Sequence, residues 1–201
     1  RASTKRHPSD IHLQVGCDDE GLISGFVFDG IFNTGAYASW GPTVANRVPI
    51  HACGPYKTDH YRATSVAVHT NAPPAGAFRG FGVPQSAVAQ ECAYDLLADE
   101  IGMDRLAFRR SNALKNGVPT VTGQVFKNGV GIDDCFAALE QPWKNALSKA
   151  ADFNEEAIAN GSPWRSGVGI ASCWYGCGNT SLPNPSTMRM GITSEGEIVL
   201  H

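Results

Sequence analysis

The 201-residue chain has little charge and no long apolar run. Only 17% of its residues are charged, and its formal net charge is −3. It therefore carries no basic field for nucleic acid. No apolar stretch approaches the roughly 18 residues of a membrane span. The opening Arg-Ala-Ser-Thr-Lys-Arg-His-Pro lacks the apolar centre of a signal peptide. There is no initiator Met, and the chain stops at His201 directly after a strand residue. Both features lead us to expect an internal piece of a longer polypeptide. The 42% hydrophobic content and modest charge exclude a disordered chain.

Six cysteines are present, Cys17, Cys53, Cys92, Cys135, Cys173 and Cys177, but no CxxC. That spacing argues against a zinc or iron–sulfur site, so no metal ligand is assigned. Reduced, partly buried thiols and a cytoplasmic location are the expectation.

What is present reads as α+β: β-hairpins and mixed sheets with packed helices. Ile11, Leu13 and Val15 alternate with polar residues. Asp18-Asp19-Glu20-Gly21 turns the chain, and Phe26 and Phe28 resume a strand. Gly35 to Pro42 reads as a loop. Residues 61–70 form another strand, with Val66 and Val68 in phase. A helix follows Ser86 as N-cap, with a stripe of Val88, Cys92, Leu96, Leu97 and Ile101, and ends at Gly102. Asp104 caps a short second helix. Another helix runs from about Asp133 to Ala159 on Phe136, Leu139, Trp143 and Leu147, with Pro142 expected to kink or split it. Met188, Met190 and Ile192, then Ile198 and Leu200, flank a Ser194-Glu195-Gly196 turn as a second hairpin.

Residues 71–85 hold three glycines and three prolines, which excludes regular structure. Gly76, Gly80 and Gly82 frame Ala77-Phe78-Arg79 and Phe81 ahead of a helix. Glycine permits close backbone approach, and free N–H groups before a helix favour an anion. Arg79 adds a planar cationic fork, and Phe81 a face for a flat ring. Two readings stay open on these residues. One is a cradle for an anionic, partly aromatic ligand; the other is a structural turn whose arginine pairs with a carboxylate. The spacing matches neither a Walker A loop nor a dinucleotide fingerprint.

The string Ala77-Phe78-Arg79-Gly80-Phe81-Gly82-x-Pro84-Gln85 resembles the molybdopterin-binding part of the xanthine dehydrogenase/aldehyde oxidoreductase family of molybdenum hydroxylases. The likeness extends to Lys5-Arg6-His7-Pro8, Gly35-Ala36-Tyr37, Tyr56 after Arg47, Thr70-Asn71-x-Pro73, Glu91, Arg109 to Asn112 and Thr122-Gly123-Gln124. It covers essentially the whole chain and is most specific over residues 70–125. The resemblance implies parts of two molybdopterin-binding domains: 1–120 as the end of the first and 121–201 as the start of the second. It implies oxidation of an N-heterocycle or aldehyde with water-derived oxygen. The cofactor is then molybdopterin with molybdenum, in mononucleotide or cytosine dinucleotide form, the latter favoured. It places Ala77, Phe78, Arg79 and Gly80 at the cofactor, and Phe81 and Arg47 at the substrate. Iron–sulfur clusters and FAD are expected in other domains or subunits of an oligomeric enzyme. The family's catalytic glutamate has no counterpart here. No catalytic residue is therefore assigned, and the chain alone is expected to be inactive.

The remaining features take plain roles. Glu91 is read as a structural partner for an arginine or backbone group. His51 and His69 are read as polar or packed, and Trp174-Tyr175 as loop packing rather than substrate funnel. A non-catalytic module binding an anion or partner, and a naturally split subunit, are the alternatives.

Overall fold

A computed structural model describes residues 3–176 and 185–200. Its centre is a three-stranded mixed sheet of β1 (Ser9–Cys17), β2 (Ile23–Gly35) and β3 (Tyr61–His69), in the order β1-β2-β3. β1 and β2 form the expected antiparallel hairpin, with Leu13 opposite Phe28. Gly21 in their turn takes a φ of 79°. β3 runs parallel to β2, with Phe28 opposite Ala63. A parallel neighbour needs a crossover, and α1 (Gly41–His51) supplies it.

That helix departs from the expected reading. The loop stops at Trp40, and Pro42 lies in the first turn of α1, where its missing N–H costs nothing. Val44, Ala45 and Val48 bury one face, and Pro49 is carried near the end. An internal proline masked this short helix from the pattern.

α1 and α2 (Val83–Glu100) lie side by side on one face of the sheet. Phe26, Phe28 and Phe32 point into the core from β2, joined by Ile11, Leu13 and Val15 and by Tyr61, Ala63 and Ala67. Val66, expected among the in-phase apolar positions, points the other way and is half exposed. The small residues Ala63, Ser65 and Ala67 take the covered face because α1 crosses close to it, and the Ser65 hydroxyl donates to the Ala45 carbonyl at 2.7 Å.

α2 starts earlier than expected. Gly82 caps it at φ 95°, so Val83, Pro84 and Gln85 are already helical. Ser86 is instead buried, its hydroxyl donating to the Val83 carbonyl at 3.0 Å. The buried face is Val83, Ser86, Gln90, Glu91, Tyr94 and Ala98. The Val88–Cys92–Leu96 stripe lies on the exposed side, with Leu96 at 71%. The core selected the face able to carry both Tyr94 and an ion pair, and residue hydrophobicity did not show that.

α3 (Arg105–Asn112) has the expected cap: Asp104 Oδ1 accepts from the N–H groups of Leu106 and Ala107. Asp104 Oδ2 accepts from Trp143 Nε1 at 2.8 Å, which ties α3 to α4 (Ile132–Ala159). Pro142 does not split α4, which runs as one 28-residue element. Phe136 and Trp143 bury, whereas Leu139 and Leu147 stay largely exposed. β4 (Met190–Ile192) and β5 (Ile198–Leu200) form the expected second hairpin, as a separate two-stranded sheet. Fold class is therefore α+β, with mixed and antiparallel sheets and packed helices.

Candidate functional site

The glycine-rich loop runs from Pro73 to Gly82 and delivers the chain into α2. Gly80, Phe81 and Gly82 adopt φ values of 88°, 46° and 95° in succession. The left-handed region is ordinary for glycine but strained for phenylalanine, and such strain clusters at working sites. At Gly82 a Cβ would stand 2.6 Å from Val48 Cγ2, so only glycine lets α1 pack against the loop.

The loop is tied down by its carbonyls. Phe78 O accepts from Phe81 N at 2.8 Å, and Gly80 O from Val83 N at 2.9 Å. Ala77 O accepts from the Thr4 hydroxyl at 3.3 Å, and Arg79 O from Arg6 Nη2 at 2.8 Å. By contrast, the N–H groups of Ala77, Phe78, Arg79 and Gly80 donate to no described residue. Unengaged N–H groups beside left-handed residues are the parts from which anion nests are built. Ala77, Phe78 and Arg79 are exposed, and Arg79 forms no ion pair with a described residue. The carboxylate partner that a purely structural turn would give Arg79 is thus absent among the described residues.

The segment before β1 carries part of the site. Lys5 N donates to Pro74 O at 3.1 Å, and Gly76 N to Lys5 O at 3.2 Å. Arg6 lies over the Phe78 ring, 4.8 Å from its centroid. Arg6 Nη1, both ring nitrogens of His7 and Gln85 Oε1 are buried without a hydrogen-bond partner. Burial lowers the pKa of His7 below its ordinary value. In the sequence Lys5-Arg6-His7-Pro8 is only part of a family likeness, with no role of its own. Trp40 carries no role there either, yet its exposed ring pairs with Phe81 in a T-shaped contact at 6.3 Å. The aromatic Tyr37–Trp40 stretch was the available signal.

Arg47 sits on α1, the helix packed on Gly82, but its guanidinium turns to a different segment. Arg47 Nη2 donates to Gly176 O at 3.1 Å, and the guanidinium lies over the Tyr175 ring at 4.9 Å. His51, one turn on, holds the same strap. Its Nδ1–H donates to Arg47 O at 3.2 Å, and its Nε2 accepts from Gly176 N at 3.1 Å. Its ring stacks on Tyr175 at 5.5 Å. Both ring nitrogens are thus engaged in a neutral imidazole. Burial first, and the Arg47 charge with it, lowers the His51 pKa against the opposing Arg47 carbonyl bond. The packed role expected for His51 and the packing role of Trp174-Tyr175 are what these contacts give. Cys177 and the residues to 184 lie outside the described residues.

Glu91 has the structural role expected of it. Arg109, wholly buried, meets it at 2.7 Å from Nε and also meets Asp95 at 2.8 Å. Tyr56 and Gln90 donate to Glu91 Oε1 at 3.0 and 2.6 Å, and Ser172 does so at 3.3 Å. Burial disfavours the Arg109 cation, but Glu91, Tyr56 and Asp95 outweigh it and raise the pKa. Burial also pushes the Cys53 thiol up to about 12. The five described cysteines are all free. Among the described residues no cluster of His, Cys, Asp or Glu could hold a metal ion directly, and no helix is long and apolar enough to cross a membrane.

Comparison with known proteins gives the family. The profile of the molybdopterin cofactor-binding domain matches residues 1–113, more than half of the chain. The chain therefore belongs to that family, the molybdopterin-binding domains of the molybdenum hydroxylases. The nicotinate dehydrogenase large molybdopterin subunit of Eubacterium barkeri is 42% identical over 130 residues, 65% of this chain and 31% of that protein. The xanthine dehydrogenase molybdenum-binding subunit of Escherichia coli O157:H7 is 31% identical over 175 residues, 87% of this chain and 22% of that protein. The solved aldehyde oxidoreductase from Desulfovibrio gigas superposes with a TM-score of 0.71 at 30% identity, over 74% of this chain and 16% of that one. The chain thus spans less than a third of the length of these relatives.

Proposed function

We propose that this chain holds the cofactor in a molybdenum hydroxylase that oxidises an N-heterocycle or an aldehyde with water-derived oxygen. The observation that carries this reading is the run of four N–H groups, Ala77 to Gly80, that find no partner among the described residues, on an exposed loop beside Arg79, which forms no ion pair with a described residue. Such a run fits an anionic, oxygen-rich group and fits a closed structural turn poorly.

The molybdenum centre supplies the two-electron oxidation when bound, since the cofactor carries the hard chemistry. The residues of this chain bind and orient. Ala77, Phe78, Arg79 and Gly80 offer N–H groups and one guanidinium to the cofactor. Phe81, held by its left-handed backbone beside Trp40, offers a ring face on which a flat substrate stacks. Arg47 stabilises charge developing on a substrate oxygen. No general base is assigned within these residues.

In this reading residues 1–120 close a first molybdopterin-binding domain and 121–201 open a second. Other segments and iron–sulfur and flavin components complete a cytoplasmic, oligomeric enzyme, and this chain alone does not turn over. The cytosine dinucleotide is the favoured pterin form. The test is metal and pterin analysis of the assembled protein from cells that make the cofactor. Near-stoichiometric molybdenum, with Arg47→Ala slowing turnover of heterocycles or aldehydes, is the expected result. A folded preparation without molybdenum would leave only an anion-binding module.

A further inference from the structure

We infer that Arg6 is a positioning residue of the glycine-rich loop: it sets the direction of the Gly80 N–H, at one end of the Ala77–Gly80 run, without itself forming the anion site. The inference rests on the cofactor-binding reading of that loop.

Arg6 grips the loop at two points. Nη2 donates to Arg79 O at 2.8 Å, and the guanidinium covers the Phe78 ring at 4.8 Å. Its neighbours hold the flanks: Thr4 binds Ala77 O, and Lys5 pairs with both Pro74 and Gly76. Residues 4–6 therefore engage carbonyls and a ring, and leave the N–H groups of 77–80 unengaged. Because each peptide unit is planar, fixing the Arg79 carbonyl also fixes the Gly80 N–H. That N–H opens the left-handed run at Gly80.

The other half of the fork is covered by protein: Arg6 Nη1 has no hydrogen-bond partner among the described residues. It lies 3.8 Å from where a Cβ on Gly80 would stand. A buried guanidinium nitrogen without an acceptor is costly, and an arginine free to choose would turn it to water. A surface arginine with no role would not be held this way. Lysine could reach one carbonyl but could not also lay a flat cation on Phe78.

The experiment compares the assembled protein with its Arg6→Met and Arg6→Lys variants, with Lys57→Met as a surface control. Three quantities are read: molybdenum and pterin per chain, the Mo(V) electron paramagnetic resonance signal, and amide exchange at Phe81. Arg6→Met is expected to weaken cofactor retention by about 10- to 100-fold, as loss of an outer-shell partner does at metal sites. Arg6→Lys is expected to recover part of the retention with an altered Mo(V) signal. Exchange at Phe81 should quicken about tenfold in Arg6→Met, the size of one charge-assisted hydrogen bond, with β2 unchanged. Wild-type metal content, Mo(V) signal and exchange in Arg6→Met would overturn the inference. If that variant does not fold, Arg6→Lys decides: an unchanged signal and exchange rate overturn it, and altered ones support it. A wild-type protein without molybdenum would sink the function reading alone, because exchange at Phe81 still reports whether Arg6 positions the loop.

Discussion

At Gly82 two constraints meet in one residue, a φ of 95° and a Cβ position 2.6 Å from Val48 Cγ2. Gly102 has only the first, a φ of 67° with nothing within 4 Å. Alanine at Gly102 should cost about 1–2 kcal/mol, the left-handed penalty alone. Alanine at Gly82 should cost a further 1–3 kcal/mol or so for overpacking against α1. Urea unfolding of both variants measures the difference, and equal losses would mean that α1 does not press on the loop. The buried pair makes a second residue-scale prediction. Arg109→Met leaves Glu91 uncompensated and should cost about 3–5 kcal/mol. A loss under about 1 kcal/mol, the range of surface pairs, would show that the network is solvated. Local chemistry was legible at this scale. Gly21, Gly102 and the Asp104 cap act through their own neighbours in the chain, so the residue type announced them. Arg6, His7 and Trp40 act on residues dozens of positions away, and nothing local marks which side they face.

Elements were legible as far as one face of each decided the matter. β1 and β2 alternate cleanly because helices cover one side only. α2 failed that test, since its buried side carries Gln90, Glu91 and Tyr94 and its exposed side carries Val88, Cys92 and Leu96. Leu96→Glu should therefore shift the stability of this chain by no more than about 0.5 kcal/mol. A loss of several kcal/mol would restore the apolar stripe as the core face. α1 carries a pH prediction through His51, which holds Gly176 as a neutral ring. Its folded pKa lies below the ordinary 6.5. The unfolded chain then takes up its proton first as pH falls, so the stabilisation is complete above 6.5 and is lost as pH drops through the folded value. His7 acts in the same direction, also through burial. Melting temperature should fall below pH 6.5, and His51→Gln should reduce the slope. An unchanged slope in that variant would assign the whole effect to other groups.

Across the whole molecule, apolar side chains are distributed unevenly. The sheet and α1 to α4 share one core, whereas among the described strands β4 and β5 pair only with each other. Met190, Ile192, Ile198 and Leu200 are each between 68% and 75% exposed. A lone two-stranded hairpin is marginal in water, and an exposed apolar surface of this kind marks an interaction site. The likeness to molybdenum hydroxylases was legible because the loop string Ala77 to Gln85 is contiguous. The exposed face of the hairpin was less visible, because it lies in which surfaces are covered and not in any one motif. We expect amide protons of 190–200 in the isolated 201-residue chain to exchange as fast as in an unstructured peptide, while those of β2 are protected. In the assembled protein the same 190–200 amides should become protected, because other segments seat on the hairpin. Equal fast exchange in both forms would mean that the hairpin stays in solvent throughout, and that the surface completing the cofactor site must be sought at the exposed stripe of α2.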